Sequence, residues 1–226
     1  MIRVLARIVV DALIVATALF GAAGTLAWGR AWLLLVVFGA VRAASAIAVF
    51  RANPALLAER ATVLIHRDQP WIDRLLLNTY MMAAFIGVPA VAARDVFHWH
   101  LPASPPPLLA DAGLALFALG WVIIAVALRA NPFAVTVVRR QTNRQHTVVD
   151  SGIYGVIRHP MYAANPLVNV GLSLWLGSYA GVAFAAIPFA LLLIRIRLEE
   201  GFLRRHLPGY GEYMARVPYR LVPGVW

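Results

Sequence analysis

Four runs of about 20 apolar residues, over roughly 4–27, 31–50, 75–93 and 108–129, leave this chain few folds to choose from. In hydrocarbon a single segment can satisfy its own backbone only as a helix. A fifth apolar stretch, 163–194, would form a helix of about 48 Å, too long for one crossing. The "GSYAG" at 177–181 predicts a break there, giving a hairpin of two helices over 160–194. The expected fold is therefore all-α, a polytopic integral membrane protein of about five to six transmembrane helices. Composition agrees: 62% of residues are hydrophobic and 13% are charged, whereas soluble domains carry roughly a quarter charged residues. No polar linker is long enough to separate two units. Residues 1–226 are thus expected to form a single domain, with 1–129 as its N-terminal transmembrane helices and 130–226 as its more polar part. The N-terminal "MIRVLARIVV" resembles part of a signal peptide, but the rest of the chain is equally apolar, so an uncleaved first span is expected.

All 20 basic residues are arginines, against 10 acids, for a net charge of +10. Their placement predicts an orientation. With the N-terminus inside, 17 arginines fall on that side, two (Arg30 and Arg94) fall on the other, and Arg42 lies within a span. Both termini are expected to be cytoplasmic, in a membrane such as the bacterial inner membrane. The arginines are scattered over several loops between apolar segments. This argues against a nucleic-acid partner and for anionic lipid headgroups. With no cysteine, disulfides, thiolate metal sites and a cysteine nucleophile are excluded. Residues 53–66 show helical spacing with one polar face and predict an interfacial helix.

The richest polar stretches, 139–162 and 195–220, flank the hairpin, so its geometry should bring them together at one membrane surface. Arg158, His159, Tyr162, Arg195, Arg197, Glu199 and Glu200 then surround one site. Pro160 suits the first turn of a helix, and His159 before it is pushed away from helical dihedrals. The free N–H groups of such a first turn suit a carboxylate or phosphate. Alternatively, Arg-His-Pro is only a basic anchor that opens a helix. Arg195 and Glu199, four apart, share a helix face, where a solvated ion pair is the plainest reading.

"GIYGVIRHPMY", an apolar hairpin, then "RIRLEEGFLRRHLPGYGEYMARVPYRLVP" resemble the isoprenylcysteine carboxyl methyltransferase family of integral-membrane methyltransferases. The shared pattern covers roughly 145–223, and the N-terminal half matches only as hydrophobic spans. The resemblance implies S-adenosylmethionine as cofactor, held by a C-terminal cytoplasmic region. It implies cofactor contacts from Gly152, Tyr154, Arg158, His159, Pro160, Tyr162 and Glu200, and from His146 ahead of them. It gives Arg195 a catalytic role in orienting the substrate. Glu199 would neutralise Arg195, hold the cofactor's ammonium, or act as base if the acceptor is an amine or thiol. The partner implied is a lipophilic small molecule or a lipid-modified substrate among membrane lipids. Ala164, followed by Asn165-Pro166, stands where many relatives carry glycine, and Pro166 predicts a kink.

Two further signals stay outside that pattern. Asp11 and Arg42 lie within spans, where charges are functional candidates by default, although pairing with Arg7 or with each other is the simpler expectation. His98 and His100 of "HWH" lie on the opposite side and fit an interfacial aromatic belt. Among rival functions, a transporter would show repeated halves or broken midplane helices, and the sequence shows neither.

Overall fold

The computed structural model describes residues 2–60, 70–101, 103–134 and 147–226. Among them every regular element is helical: α1 (Ile2–Ala23), α2 (Gly29–Ala52), α3 (Pro54–Arg60), α4 (Trp71–Met82), α5 (Val88–Arg94), α6 (Pro107–Ala130), α7 (Pro160–Leu176), α8 (Tyr179–Phe184), α9 (Ala186–His206) and α10 (Tyr210–Arg216). Two π turns, Ala83–Gly87 and Asp95–Trp99, make α4 and α5 one continuous rod, Trp71–Trp99. The first precedes Pro89, which has no N–H for the regular bond to Phe85, and a widened turn accommodates the ring.

Five helical stretches are long and apolar enough to cross a membrane: α1, α2, Trp71–Trp99, α6 and Tyr179–His206. Their outward faces carry large apolar side chains, such as Val9 and Leu13 on α1, Val36 on α2 and Val122 on α6, the pattern expected against lipid. The third span runs four residues earlier and six later than its apolar core of 75–93. Within 53–66 a helix appears as α3, and the expected remainder, 61–66, lies outside the described residues.

The hairpin breaks where the sequence indicated. Gly177 closes α7 with φ +89, a left-handed conformation glycine adopts without a Cβ penalty. Ser178 Oγ then caps α8 by accepting from Gly181 N at 2.9 Å, while donating to the buried Asp95 carboxylate at 2.7 Å. The Trp175 indole donates to Arg30 O at 2.8 Å. The hairpin tip is therefore level with the start of α2 and the end of the third span, so α7 traverses the same layer as its neighbours. The second arm is longer than 160–194 implied. It continues to His206, burying Arg195 and Glu200 on one face while Arg197 and Arg204 face outward.

α6 and α7 form the most extensive helix pair, and glycines permit it. A Cβ on Gly171 would lie 2.5 Å from Phe117 N, one on Gly113 2.8 Å from Gly171 O, and one on Gly120 3.0 Å from Ala164 O. Small residues let backbones approach where hydrocarbon offers no hydrophobic drive between helices. Ala164, fully buried, fits beneath Gly120 in this seam. Gly171→Ala should therefore destabilise the protein by about 1–3 kcal/mol through overpacking. Gly21→Ala, where nothing stands within 4 Å of the added carbon, should be neutral or stabilising. Thermal unfolding of the two variants in one detergent checks the contrast.

Candidate active site at the open end of the hairpin

The polar residues flanking the hairpin converge. The chain enters through the 3-10 turn Gly152–Gly155, made possible by Gly152 at φ +59. Tyr154 in that turn is buried, and its carbonyl accepts the Tyr213 hydroxyl at 2.8 Å. Burial raises the Tyr154 phenol above its ordinary pKa and pushes Tyr213 up to about 12, so both stay protonated at neutral pH. Pro160 occupies the first turn of α7 as expected. Two of that turn's N–H groups, from Tyr162 and Ala163, close on the His159 carbonyl at 3.0 Å each, which narrows the room for an anion there.

Glu200 ties two arginines and a histidine into one hub. Its Oε1 accepts from Arg158 Nε at 2.7 Å and lies 3.2 Å from His159 Nε2, while its Oε2 accepts from Arg220 Nε at 2.8 Å. Arg158 also donates to Val217 O at 2.5 Å. The backbones of Arg158 and His159 donate to Tyr219 O and Arg220 O at 3.0 and 2.9 Å. Arg158, His159 and Glu200 are all buried. The hub therefore locks the Arg-His-Pro loop, α9 and the C-terminal tail together.

Beside this hub lies a second constellation. His159 and Tyr162 stack at 5.4 Å with rings 8° from parallel. The Tyr162 hydroxyl donates to Glu199 Oε2 at 2.6 Å. The Arg195 guanidinium stands 5.8 Å from the Tyr162 ring centroid and donates from Nε to Asp73 Oδ1 at 2.8 Å. Asp73, at the start of the third span, is 3% exposed. Sequence reasoning missed it, although an acid at the mouth of one apolar span and an arginine at the mouth of another are natural partners.

Tyr162 and Arg195 sit on the wall of a cavity of about 210 Å³ that extends among α1, α2, α4, α6, α7 and α9. Its lining is mostly apolar, with Leu34, Phe38, Leu77, Phe117 and Leu172 among the contributors, and Tyr80 and Asn165 hydrogen-bond each other on it. Arg60 of α3 also lines it, donating to Ala134 O at 2.5 Å. Burial, reinforced by Arg42, lowers its pKa to about 10, which leaves it charged at neutral pH. An apolar cavity with convergent polar groups at one end is the usual form of a small-molecule site. Of the residues the sequence singled out, Arg158, His159, Tyr162, Arg195, Glu199 and Glu200 thus come together. Gly152 and Tyr154 shape the turn leading in, and His146 lies outside the described residues.

The chain is similar to known proteins in sequence and in fold. The family described as phospholipid methyltransferase matches residues 109–209. Over 76 residues the chain is 40% identical to a cobalt-zinc-cadmium resistance protein of Cupriavidus metallidurans, covering 33% of this chain and 35% of that protein. It is 27% identical over 153 residues to protein-S-isoprenylcysteine O-methyltransferase B of Arabidopsis thaliana, covering 64% of this chain and 74% of that one. The chain thus spans about a third of the first relative's length and about three quarters of the second's. Among solved structures, the eukaryotic intramembrane Ras methyltransferase ICMT superposes with a TM-score of 0.54 at 18% identity, over 94% of this chain and 73% of that one. That likeness is one of fold.

Proposed function

We propose that this chain is a membrane methyltransferase of the isoprenylcysteine carboxyl methyltransferase-like kind, methylating the polar head of a lipophilic acceptor, with S-adenosylmethionine as donor, at the cytoplasmic membrane face. The observation that carries this reading is the position of Arg195 and Tyr162, where a largely apolar cavity meets the polar loops. S-adenosylmethionine, when bound, supplies an activated methyl group.

The residues present fit such a donor. Glu199 is half-buried beside the stacked His159 and Tyr162 rings. A carboxylate next to aromatic faces suits a ligand that carries both ammonium and sulfonium charge. The Glu200 hub fixes the loop on which His159 and Tyr162 stand. Gly152, Tyr154, Arg158 and Pro160 shape and hold that loop and complete the proposed cofactor region, to which the sequence resemblance alone adds His146.

The chain's own task is then binding, alignment and exclusion of water. Arg195 orients the acceptor with a planar fork that matches a carboxylate, and Asp73 holds Arg195 in place. A carboxylate is already ionised at neutral pH, with a model value near 4, so it needs no general base. Arg42, Arg60 and Arg195 together make the cavity wall cationic, which favours an acidic acceptor over an amine. An isoprenylcysteine-type carboxyl end is the acceptor class that best combines a carboxylate with an apolar tail. A phospholipid amine is the alternative, with Glu199 as its base.

Two assays on detergent-purified protein test this. Methyl transfer from labelled S-adenosylmethionine should occur to S-farnesyl-cysteine and not to phosphatidylethanolamine, and the reverse outcome would select the amine reading. Saturable S-adenosylmethionine binding should weaken at least ten-fold in His159→Ala. An unchanged dissociation constant would remove His159 from the cofactor site.

A further inference from the structure

The cavity continues beyond Tyr162 and Asn165 to charges the catalytic reading leaves unused. Asp11, 5% exposed, accepts from Arg7 Nε at 2.7 Å and from Arg42 at 2.6 Å, on its two separate oxygens. The Arg42 guanidinium lies 4.6 Å from the Trp121 ring centroid and 5.7 Å from that of Phe38. All five side chains line the cavity. Charge pairing accounts for Asp11. It does not account for two donors: Arg42 Nε and Trp121 Nε1 are buried with no hydrogen-bond partner among the described residues.

A buried donor without an acceptor has lost its water and gained nothing in return. Two of them on adjoining side chains that both line one cavity point to a ligand acceptor that completes them. The local charge selects its type. Arg7 and Arg42 outweigh Asp11, so an oxygen acceptor is favoured and an ammonium is not. Depth places it. Gly120, next to Trp121, packs against Val168 of α7, six residues beyond Tyr162, which is about 9 Å along the helix axis.

We propose that Trp121 and Arg42, the latter held by Asp11, form a second polar subsite in the acceptor cavity. It takes a hydroxyl or carbonyl oxygen carried partway along the acceptor's chain. The proposal rests on the reading of this cavity as the acceptor site. It implies that, among acceptors with the same carboxyl end, one with an oxygen partway along its tail binds more tightly than one with a plain tail, which offers these donors nothing.

The test compares octadecanoic acid with its mid-chain hydroxylated analogues, as ligands of the detergent-purified full chain. Dissociation constants are corrected for each acid's partition into micelles. The wild type should bind a hydroxylated acid about ten-fold more tightly than the plain one. Trp121→Phe, which keeps the ring and removes the N–H, should lose most of that preference while binding S-adenosylmethionine and the plain acid as before. Arg42→Met should act in the same direction. Equal binding of all the acids by the wild type, or an undiminished preference in Trp121→Phe, overturns the subsite and leaves the acceptor cavity standing. Binding of none of them by protein that still binds S-adenosylmethionine overturns the cavity reading and the subsite with it.

Discussion

Replacing Arg195 with methionine should abolish methyl transfer and, alone, destabilise the protein by about 3–5 kcal/mol. The two effects have different origins and can be separated. Arg195 is 4% exposed and is bonded to Asp73, which is 3% exposed. Removing the guanidinium takes away the 2.8 Å ion pair that offsets the burial of this carboxylate. Replacing both partners with neutral residues of similar shape removes that penalty, and exchanges of this kind are often neutral or stabilising. Arg195→Met with Asp73→Asn should therefore recover most of the unfolding temperature lost in the single variant. It should not recover turnover, because nothing then orients the acceptor's carboxylate. S-adenosylmethionine binding should stay within a few-fold of wild type in the double variant, since Arg195 faces the cavity and the loop hub remains intact. Recovery of turnover alongside stability would reduce Arg195 to a structural partner. Loss of cofactor affinity in the stable double variant would move it into the donor half of the site.

How much of this was legible in the sequence follows from the range of the forces involved. Apolar runs mark spans because burial against lipid acts on each residue separately, so α1, α2, the third span and α6 fall where composition put them. The turn at Gly177-Ser178 was legible because its backbone demands glycine locally. The meeting of Arg158, His159 and Tyr162 with Arg195, Glu199 and Glu200 follows from the hairpin's topology. The partners these side chains select do not. Asp73 joins Arg195 from a helix 122 positions away in sequence, and Arg220 joins Glu200 from a tail whose docking has no periodic signature. Glu199 and Glu200 are adjacent and chemically alike. Their division into one carboxylate on Tyr162 and another in a cationic hub is decided by which side of α9 faces inward. Asp11 and Arg42 could be named as candidate charges, but the two unsatisfied donors beside the cavity exist only in three dimensions.

Glu200→Gln should cost about 3–5 kcal/mol and release the C-terminal tail, because this carboxylate is the counter-charge for a buried arginine. Arg158 is 6% exposed and, among the described residues, would keep the Val217 carbonyl as its side-chain acceptor. An amide supplies one acceptor oxygen where the carboxylate's two oxygens now meet two arginines and a histidine. The strand of tail at Tyr219 and Arg220 is held to the loop by two backbone bonds, too few to keep it docked without the hub. Arg220→Gln should be much milder, at about 1 kcal/mol or less, because its side chain is 28% exposed and its pairing is partly screened by water. Brief trypsin digestion of detergent-purified protein reads the difference directly. Glu200→Gln should be cut at Arg216 and Arg220 well before the wild type is, and its S-adenosylmethionine affinity should fall in parallel, because the released loop carries His159 and Tyr162. Arg220→Gln should stay close to wild type on both measures. Equal sensitivity of the two variants, or a tail that stays protected in Glu200→Gln, would mean that apolar packing of Leu207, Tyr210, Tyr213 and Val217 holds the cofactor region together without the hub.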